Sequence, residues 1–484
     1  MMGRHHAALW LNVLLLLIGA GLRFQYLIDT EPLHPDEALF ATLGRRMVQQ
    51  QDWLLNGATT DKPPLTYLLV GLSLTGVGQS EFAARLPSVF ASLIGATAFF
   101  ALTRRLSTRL PTAHLGLLIY LLSPIEIAFA PTIFQDTLML ACVLLSALCA
   151  THQKWGWTGV LMGLAWVMKP TALWVLPLVI SIGVFSSPVW SLENAPPVST
   201  LLRRTKSFVF GALLTLVPIL AWDVARPQQS FVTLGSYNNN PGRFVRPDEV
   251  ESRAGAWLRL LADAFGGPII GIMFFLMVVG WLMFTAKKQH PTRWISWIIA
   301  LFVVWYLGLY WLVAFSVRMR YVLPIIPFIL LLVTLAIGEL ASRWRWGMWF
   351  SAIAIVLVMA YPALTARPLS REPQEFKLQG IDELADTLNH DFAGRIVYDY
   401  WLGWELGWYL GGDTEVWLVY FSTPEELAAH LQTESGARYL VAPNEDLARM
   451  WVYLLNLKNV QTTPIRHIHD FVIYEVLPLK SPPE

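Results

Sequence analysis

The sequence predicts a polytopic α-helical membrane protein of about eleven transmembrane helices, followed by a small C-terminal α/β domain. Three observations predict it. Hydrophobic residues make up 55% of the 484 and charged residues only 14%, whereas a soluble domain carries about 25% charged residues. In lipid a charge must be paired or used, which accounts for the deficit. Apolar runs near the ~20 residues needed to cross a bilayer recur as far as residue 363. After Pro368 the composition becomes that of a soluble domain. The 22 tryptophans suit aromatic belts at the membrane surfaces.

The first run, 9–27, is long enough to span and lacks a small-residue cleavage pattern, so it reads as a retained signal anchor. The further segments are 86–103, 111–130, 137–152, 156–168, 171–187, 207–224, 267–286, 294–315, 321–340 and 346–363. If these alternate, Arg4, Arg104, Arg105, Arg109, Lys154, Arg203, Arg204, Lys206, Lys287, Lys288, Arg293, Arg343 and Arg345 share one side. By the positive-inside rule that side is cytoplasmic. Asp29, Glu31, Asp36, Glu37, Asp52, Asp61, Glu81, Asp136, Asp248, Glu249, Glu251 and Asp263 fall on the other. The N-terminus is therefore expected inside and the C-terminal domain outside.

Residues 1–367 read as the membrane domain, with two long outer loops at 28–85 and 225–266. The first carries amphipathic helix patterns at Glu37–Gln51 and Pro64–Leu74, as expected of ordered chain lying along an interface. The second carries the turn-rich Asn238-Asn239-Asn240-Pro241-Gly242. In the domain at 368–484, Arg395–Tyr398, Glu415–Tyr420, Arg438–Ala442 and Phe471–Val476 read as strands. Thr423-Pro424-Glu425-Glu426 reads as a capped helix start. Cys142 and Cys149 share a helix face and read as small core residues. A net charge of +1 offers nothing to a nucleic acid.

Candidate chemistry sits in and around the loops. His34-Pro35-Asp36-Glu37 places two adjacent carboxylates just beyond the first span. Adjacent helix positions face different ways, so Asp36 is a candidate base for an acceptor hydroxyl while Glu37 makes a structural contact. The plain alternative is that both simply favour a helix N-terminus. In Asp61-Lys62-Pro63-Pro64-Leu65, Lys62 can meet a phosphate as a point charge, or reach lipid headgroups. Asp61 can pair with Lys62 or ligate a metal. Asp136 is a carboxylate at the end of an apolar run, hence a functional candidate or a helix cap. Lys169, and Arg318 and Arg320 before Tyr321, are cations on the acidic side and suit an anionic headgroup. Arg226, Arg243 and Arg246 read as solvated loop surface.

HPDEALFATLGRRMVQQQDWLL, followed by DKPPLTYLLVGLSLTGVGQSEFAARLPSVFASL, resembles the protein O-mannosyltransferase and lipid A aminoarabinose transferase superfamily of GT-C membrane glycosyltransferases. The resemblance covers most of 10–340 and is most specific over 34–110. It implies Asp36 as the catalytic residue, Lys62 as a ligand of an anionic substrate, and Asp136 as the second outer aspartate. It also implies Arg320-Tyr321 at the carrier phosphate. The acid before the lysine joins a metal site in some members; here it is Asp61, where that subgroup has Glu. A bacterial inner membrane is implied as the location.

With a lipid-phosphate donor the leaving group is already good and needs cations rather than a strong acid. Lys62, Arg320 and Lys169 meet that need, with Asp36 as the one base. A glycosidase would instead need two opposed carboxyls. The expectation is inverting transfer from a polyprenyl-phosphate sugar, among membrane lipid, to a hydroxyl of a protein, glycolipid or glycan. No cofactor is required, though a divalent cation is compatible. The rivals are a lipid-linked glycan ligase, a non-catalytic assembly protein acting through its outer domain, and a secondary transporter, which would need polar mid-membrane residues.

Overall fold

A computed structural model of the chain describes residues 2–28, 32–107, 109–186, 197–238, 242–288, 292–369, 378–433 and 438–479. Asp29, Glu31 and Asn239-Asn240-Pro241 of the sequence reading lie outside these. The chain forms two compact units, Met1–Asp29 with Arg46–Leu369, and Thr30–Arg45 with Ser370–Glu484. A single cut at 367/368 therefore misses one feature, because the stretch 30–45 groups with the C-terminal domain.

In the membrane unit, seven described helices are long and apolar enough to cross a bilayer: His6–Phe24, Glu81–Ser107, Val198–Ala225, Pro268–Lys287, Arg293–Leu312, Met319–Ala341 and Gly347–Thr365. Leu65–Val77, Leu110–Leu121, Gln135–Thr151, Trp155–Met168 and Pro170–Phe185 are apolar but shorter. The eleven expected segments are all helical, four of them in this shorter set. Proline explains two interruptions, since it cannot donate to a helix and its predecessor avoids the helical region. The run 111–130 stops at Leu121 and restarts at Pro124. Likewise Lys169, ahead of Pro170, is extended with φ −148 and ψ 120, which lifts it out of both flanking helices.

Close packing in this unit relies on glycine. A Cβ on Gly159 would lie 2.0 Å from the Phe208 carbonyl oxygen, and one on Gly211 would lie 2.0 Å from that of Gly156. With Gly163 four residues on, this small-residue face lets Trp155–Met168 and Val198–Ala225 meet backbone to backbone. Among the buried charges not anticipated is Arg23. It donates to Ser92 Oγ at 2.7 Å and to the carbonyls of Gly19 and Leu121 at 3.0 and 3.1 Å.

The C-terminal unit holds a five-stranded sheet: β1 Ile396–Asp399, β2 Trp417–Tyr420, β3 Arg438–Pro443, β4 Val460–Ile468 and β5 Phe471–Pro478. The order is β2-β1-β3-β5-β4, with β1 parallel to β2 and β3, and β5 antiparallel to β3 and β4. Four strands fall where the sequence predicted them. The fifth, β4, was missed because Pro464 and its polar run Gln461-Thr462-Thr463 mask it. Such residues are tolerated on an edge strand, where Pro464 adjoins a register shift. One core packs Leu384, Leu388, Leu406 and Leu410 with Ile473, and a second packs Leu427, Leu431, Trp451 and Leu455 with Tyr398. Pro424–Thr433 starts as expected, the Glu426 amide donating to Thr423 Oγ1 at 3.2 Å.

Residues 30–45 belong to this unit through the short helix Gly403–Tyr409. The Leu33 amide donates to Tyr409 Oη at 2.7 Å, and Thr42 Oγ1 donates to the Trp404 carbonyl at 3.1 Å. Arg45 donates to the carbonyls of Trp408, at 3.1 Å, and Gly407, and its guanidinium lies 5.2 Å from the centre of the Trp408 ring.

Candidate active site

The candidate residues divide between the two units. Asp36 and Glu37 occupy the first turn of the helix Pro35–Val48, which Pro35 opens. Glu37 is buried and its Oε2 accepts from the His34 amide at 3.1 Å. This is half of a capping box, an acid reaching back to the amide that precedes the helix. The Asp36 amide donates to His34 Nδ1 at 3.0 Å, so His34 presents an acceptor there. Asp36 itself is half-buried. Glu37 thus holds the entry to the helix.

In the membrane unit the structure gathers residues that are far apart in sequence. Lys169 Nζ lies 2.6 Å from Asp136 Oδ1, the side chains 15% and 4% exposed. The same ammonium lies 5.6 Å from the centre of the Tyr321 ring. Arg320 and Lys62 both stand near enough to Lys169 to repel its charge. The Arg320 guanidinium sits over the Phe134 ring at 5.1 Å. Asp136 follows Phe134 at the start of the helix Gln135–Thr151 but makes no cap; it serves Lys169 instead. The extended backbone at Lys169 is what frees its side chain for this meeting.

Lys62 is more open. It pairs with Asp61 at 2.6 Å, the side chains 30% and 16% exposed. The other oxygen of Asp61 accepts from Asn238 Nδ2 at 3.3 Å. Among the described residues no group of three His, Cys, Asp or Glu side chains is arranged to hold a metal ion. Lys62, Lys169 and Arg320 against Asp61 and Asp136 leave one positive charge in excess. Such a cluster attracts a compact anion, each ammonium acting as a point charge and the guanidinium as a two-pronged donor.

Tyr306, Tyr310 and Phe315 were not singled out from the sequence. Tyr310 and Phe315 pack against Tyr321, ring centres 5.5 and 4.7 Å away, and Tyr310 stacks on Tyr306 at 4.7 Å. In the sequence these rings look like any other aromatic in an apolar run. Arg226, expected on solvated loop surface, is instead buried. It donates to the carbonyls of Leu54 and Ala58 at 3.1 and 2.8 Å and stacks over Trp222 at 4.7 Å. It thereby pins the loop that leads into Asp61 and Lys62. Arg243 does fit a surface role, pairing with Glu249 at 2.8 Å.

A family model described as dolichyl-phosphate-mannose-protein mannosyltransferase matches residues 61–222. Curated relatives are undecaprenyl phosphate-alpha-4-amino-4-deoxy-L-arabinose arabinosyl transferases. The one from Pectobacterium carotovorum is 25% identical over 68% of this chain and 60% of its own length. That from Sodalis glossinidius is 25% identical over 70% of this chain and 61% of its own. The chain thus spans about 60% of the length of these relatives. Among solved structures, ArnT from Cupriavidus metallidurans bound to undecaprenyl phosphate aligns with TM-score 0.65 at 16% identity, covering 96% of this chain and 97% of ArnT. An Archaeoglobus fulgidus oligosaccharyltransferase aligns with TM-score 0.52 at 11% identity, over 94% of this chain and 73% of its own. The fold is that of the GT-C membrane glycosyltransferases. In sequence the chain is similar, at about 25% identity, to the undecaprenyl phosphate-linked aminoarabinose transferases.

Proposed function

We propose that this protein transfers a sugar from a polyprenyl-phosphate carrier to an acceptor hydroxyl at the outer face of the cell membrane. The observation that carries the reading is the meeting of Lys169, Arg320 and Lys62 around Asp136 and Tyr321. These cations suit the phosphate of the carrier. They stabilise the charge that develops as the bond between phosphate and anomeric carbon breaks. Asp36 takes the acceptor proton while the acceptor oxygen attacks the anomeric carbon from the opposite face. The phosphate leaves with the bonding pair, and the sugar is transferred with inversion. The names of the relatives make undecaprenyl phosphate bearing 4-amino-4-deoxy-L-arabinose the first donor to try. The segregation of basic and acidic loops supports an inside N-terminus and an outside C-terminal domain.

The test is turnover by purified protein, read as release of free carrier phosphate from a panel of polyprenyl-phosphate sugars. Positioned base catalysis contributes typically 10²–10⁴-fold, so Asp36→Asn should lose activity on that scale while keeping its fold and its affinity for the carrier. Wild-type-like turnover in Asp36→Asn would remove Asp36 from the mechanism. Failure of the wild type to bind or consume any donor would remove the reading itself.

A further inference from the structure

We propose that the Gly403–Tyr409 helix of the C-terminal domain positions Asp36, with Arg45 and Tyr409 as the positioning residues; this rests on Asp36 being the base. The helix Pro35–Val48 is held from both sides of Asp36. Three residues before it, the Leu33 amide donates to Tyr409 Oη at 2.7 Å. Nine residues after it, Arg45 reaches the carbonyls of Gly407 and Trp408. Between them, Thr42 Oγ1 donates to the Trp404 carbonyl at 3.1 Å. Attachments at Leu33 and Arg45 lie far enough apart, at ~1.5 Å of rise per residue, to fix the helix against both sliding and tilting.

The chemistry of Arg45 suits this task better than simple stabilisation. Its partners are carbonyls in the last turn of the Gly403–Tyr409 helix, where backbone donors run out; that of Trp408 also accepts from the Gly411 amide at 3.2 Å. The guanidinium is buried, and among the described residues it makes no ion pair within 4 Å and its Nε has no hydrogen-bond partner, though the charge of Asp413 stands near enough to favour its charged form. A buried cation of this kind is retained against its desolvation. A planar fork can span two successive carbonyls while lying over the Trp408 ring, whereas a lysine would offer a single point charge. The function this geometry serves is placement. A base must be held to within ~0.5 Å of its productive position, and a displacement of about 1 Å costs on the order of 10²-fold in rate.

The test uses full-length protein with a saturating and a titrated donor. Arg45→Met keeps the stem over Trp408 and removes both donors; kcat should fall on the order of 10–100-fold with donor KM within about twofold. Arg45→Lys should recover part of kcat. Tyr409→Phe removes one hydroxyl, folds as the wild type does, and should lower kcat severalfold while speeding exchange of the Leu33 amide. A purely structural role predicts lower melting temperature with kcat unchanged per folded molecule, and that result in both variants overturns the proposal. A rise in donor KM at constant kcat overturns it too, by assigning these residues to donor binding. The Asp36→Asn control separates the two claims. If Asp36→Asn is inactive and Arg45→Met keeps wild-type kcat, positioning alone fails. If Asp36→Asn is fully active, both fail.

Discussion

The membrane unit buries a carboxylate against a cation, whereas the C-terminal unit buries two carboxyls with no cation between them. Asp136 and Lys169 meet at 2.6 Å. In the other unit Asp399 and Glu405 are each only 2% exposed, Asp399 at the end of β1 and Glu405 in the Gly403–Tyr409 helix. The Leu402 amide donates to Asp399 Oδ2 at 2.9 Å, but Asp399 Oδ1 and Glu405 Oε1 have no hydrogen-bond partner among the described residues. Burial pushes the Asp399 carboxyl up to about 6. Burial, and then the charge of Asp399, push Glu405 up to about 8. An opposite pair can keep its charges in a low-dielectric site and present them to a ligand. A like pair must shed charge by holding protons. The first arrangement keeps an ammonium beside a carboxylate inside the membrane unit, whereas the second makes a support whose firmness depends on pH.

Breaking the opposite pair should have the largest effect. Lys169→Met leaves Asp136 buried and unpaired, at a cost of about 3–5 kcal/mol, read by thermal or denaturant unfolding in detergent. Adding Asp136→Asn should restore most of that stability but not binding of carrier phosphate. If the double variant binds the carrier as the wild type does, Lys169 serves the fold and not the ligand.

The like pair predicts a smaller effect with a definite sign. Its folded carboxyls hold protons to higher pH than the ordinary 3.8 and 4.5 of Asp and Glu. Across the interval from there to about 6 and about 8, the folded protein binds more protons than the unfolded. Stability conferred by the C-terminal domain should therefore fall as pH rises through this window and level off above it. Amide exchange in β1 and the Gly403–Tyr409 helix, followed from pH 5 to pH 9, should show it. Glu405→Gln should flatten the dependence, and an unchanged slope in that variant would release the pair from this role.

The smallest effect sharpens the comparison. Asp61 and Lys62 make the same contact distance as Asp136 and Lys169 but are more exposed, 16% and 30%. Exposed pairs contribute about 0–1 kcal/mol, so Asp61→Asn should shift the unfolding midpoint little. Lys62→Gln should still weaken carrier binding severalfold, measured by titration with undecaprenyl phosphate, since the proposed role of Lys62 rests on its charge.

Much of the site was legible because its residue types are expensive where they stand. Asp36, Lys62, Asp136, Lys169 and Arg320 drew notice as charges beside apolar runs. Four strands were legible as short apolar runs, whereas β4 was hidden by Pro464, which only an edge position excuses. Arg45 and Arg226 were passed over for a different reason. Arg45 reads as one more polar position on an amphipathic helix and Arg226 as loop charge, and their acceptors are carbonyls, which every residue possesses. No residue type at Gly407, Trp408, Leu54 or Ala58 advertises such a partner.

The sequence alone determined the membrane class, the helical segments and the identity of the charged candidates. Hydropathy, proline positions and charge segregation act locally along the chain and survive without knowledge of contacts. The tertiary structure decided which charges meet and which unit holds Asp36. It paired Asp136 with Lys169 across 33 residues and tied Leu33 to Tyr409 across 376. Those choices depend on where backbone carbonyls and side-chain hydroxyls come to lie once the helices pack, a consequence of the whole fold that no local pattern encodes.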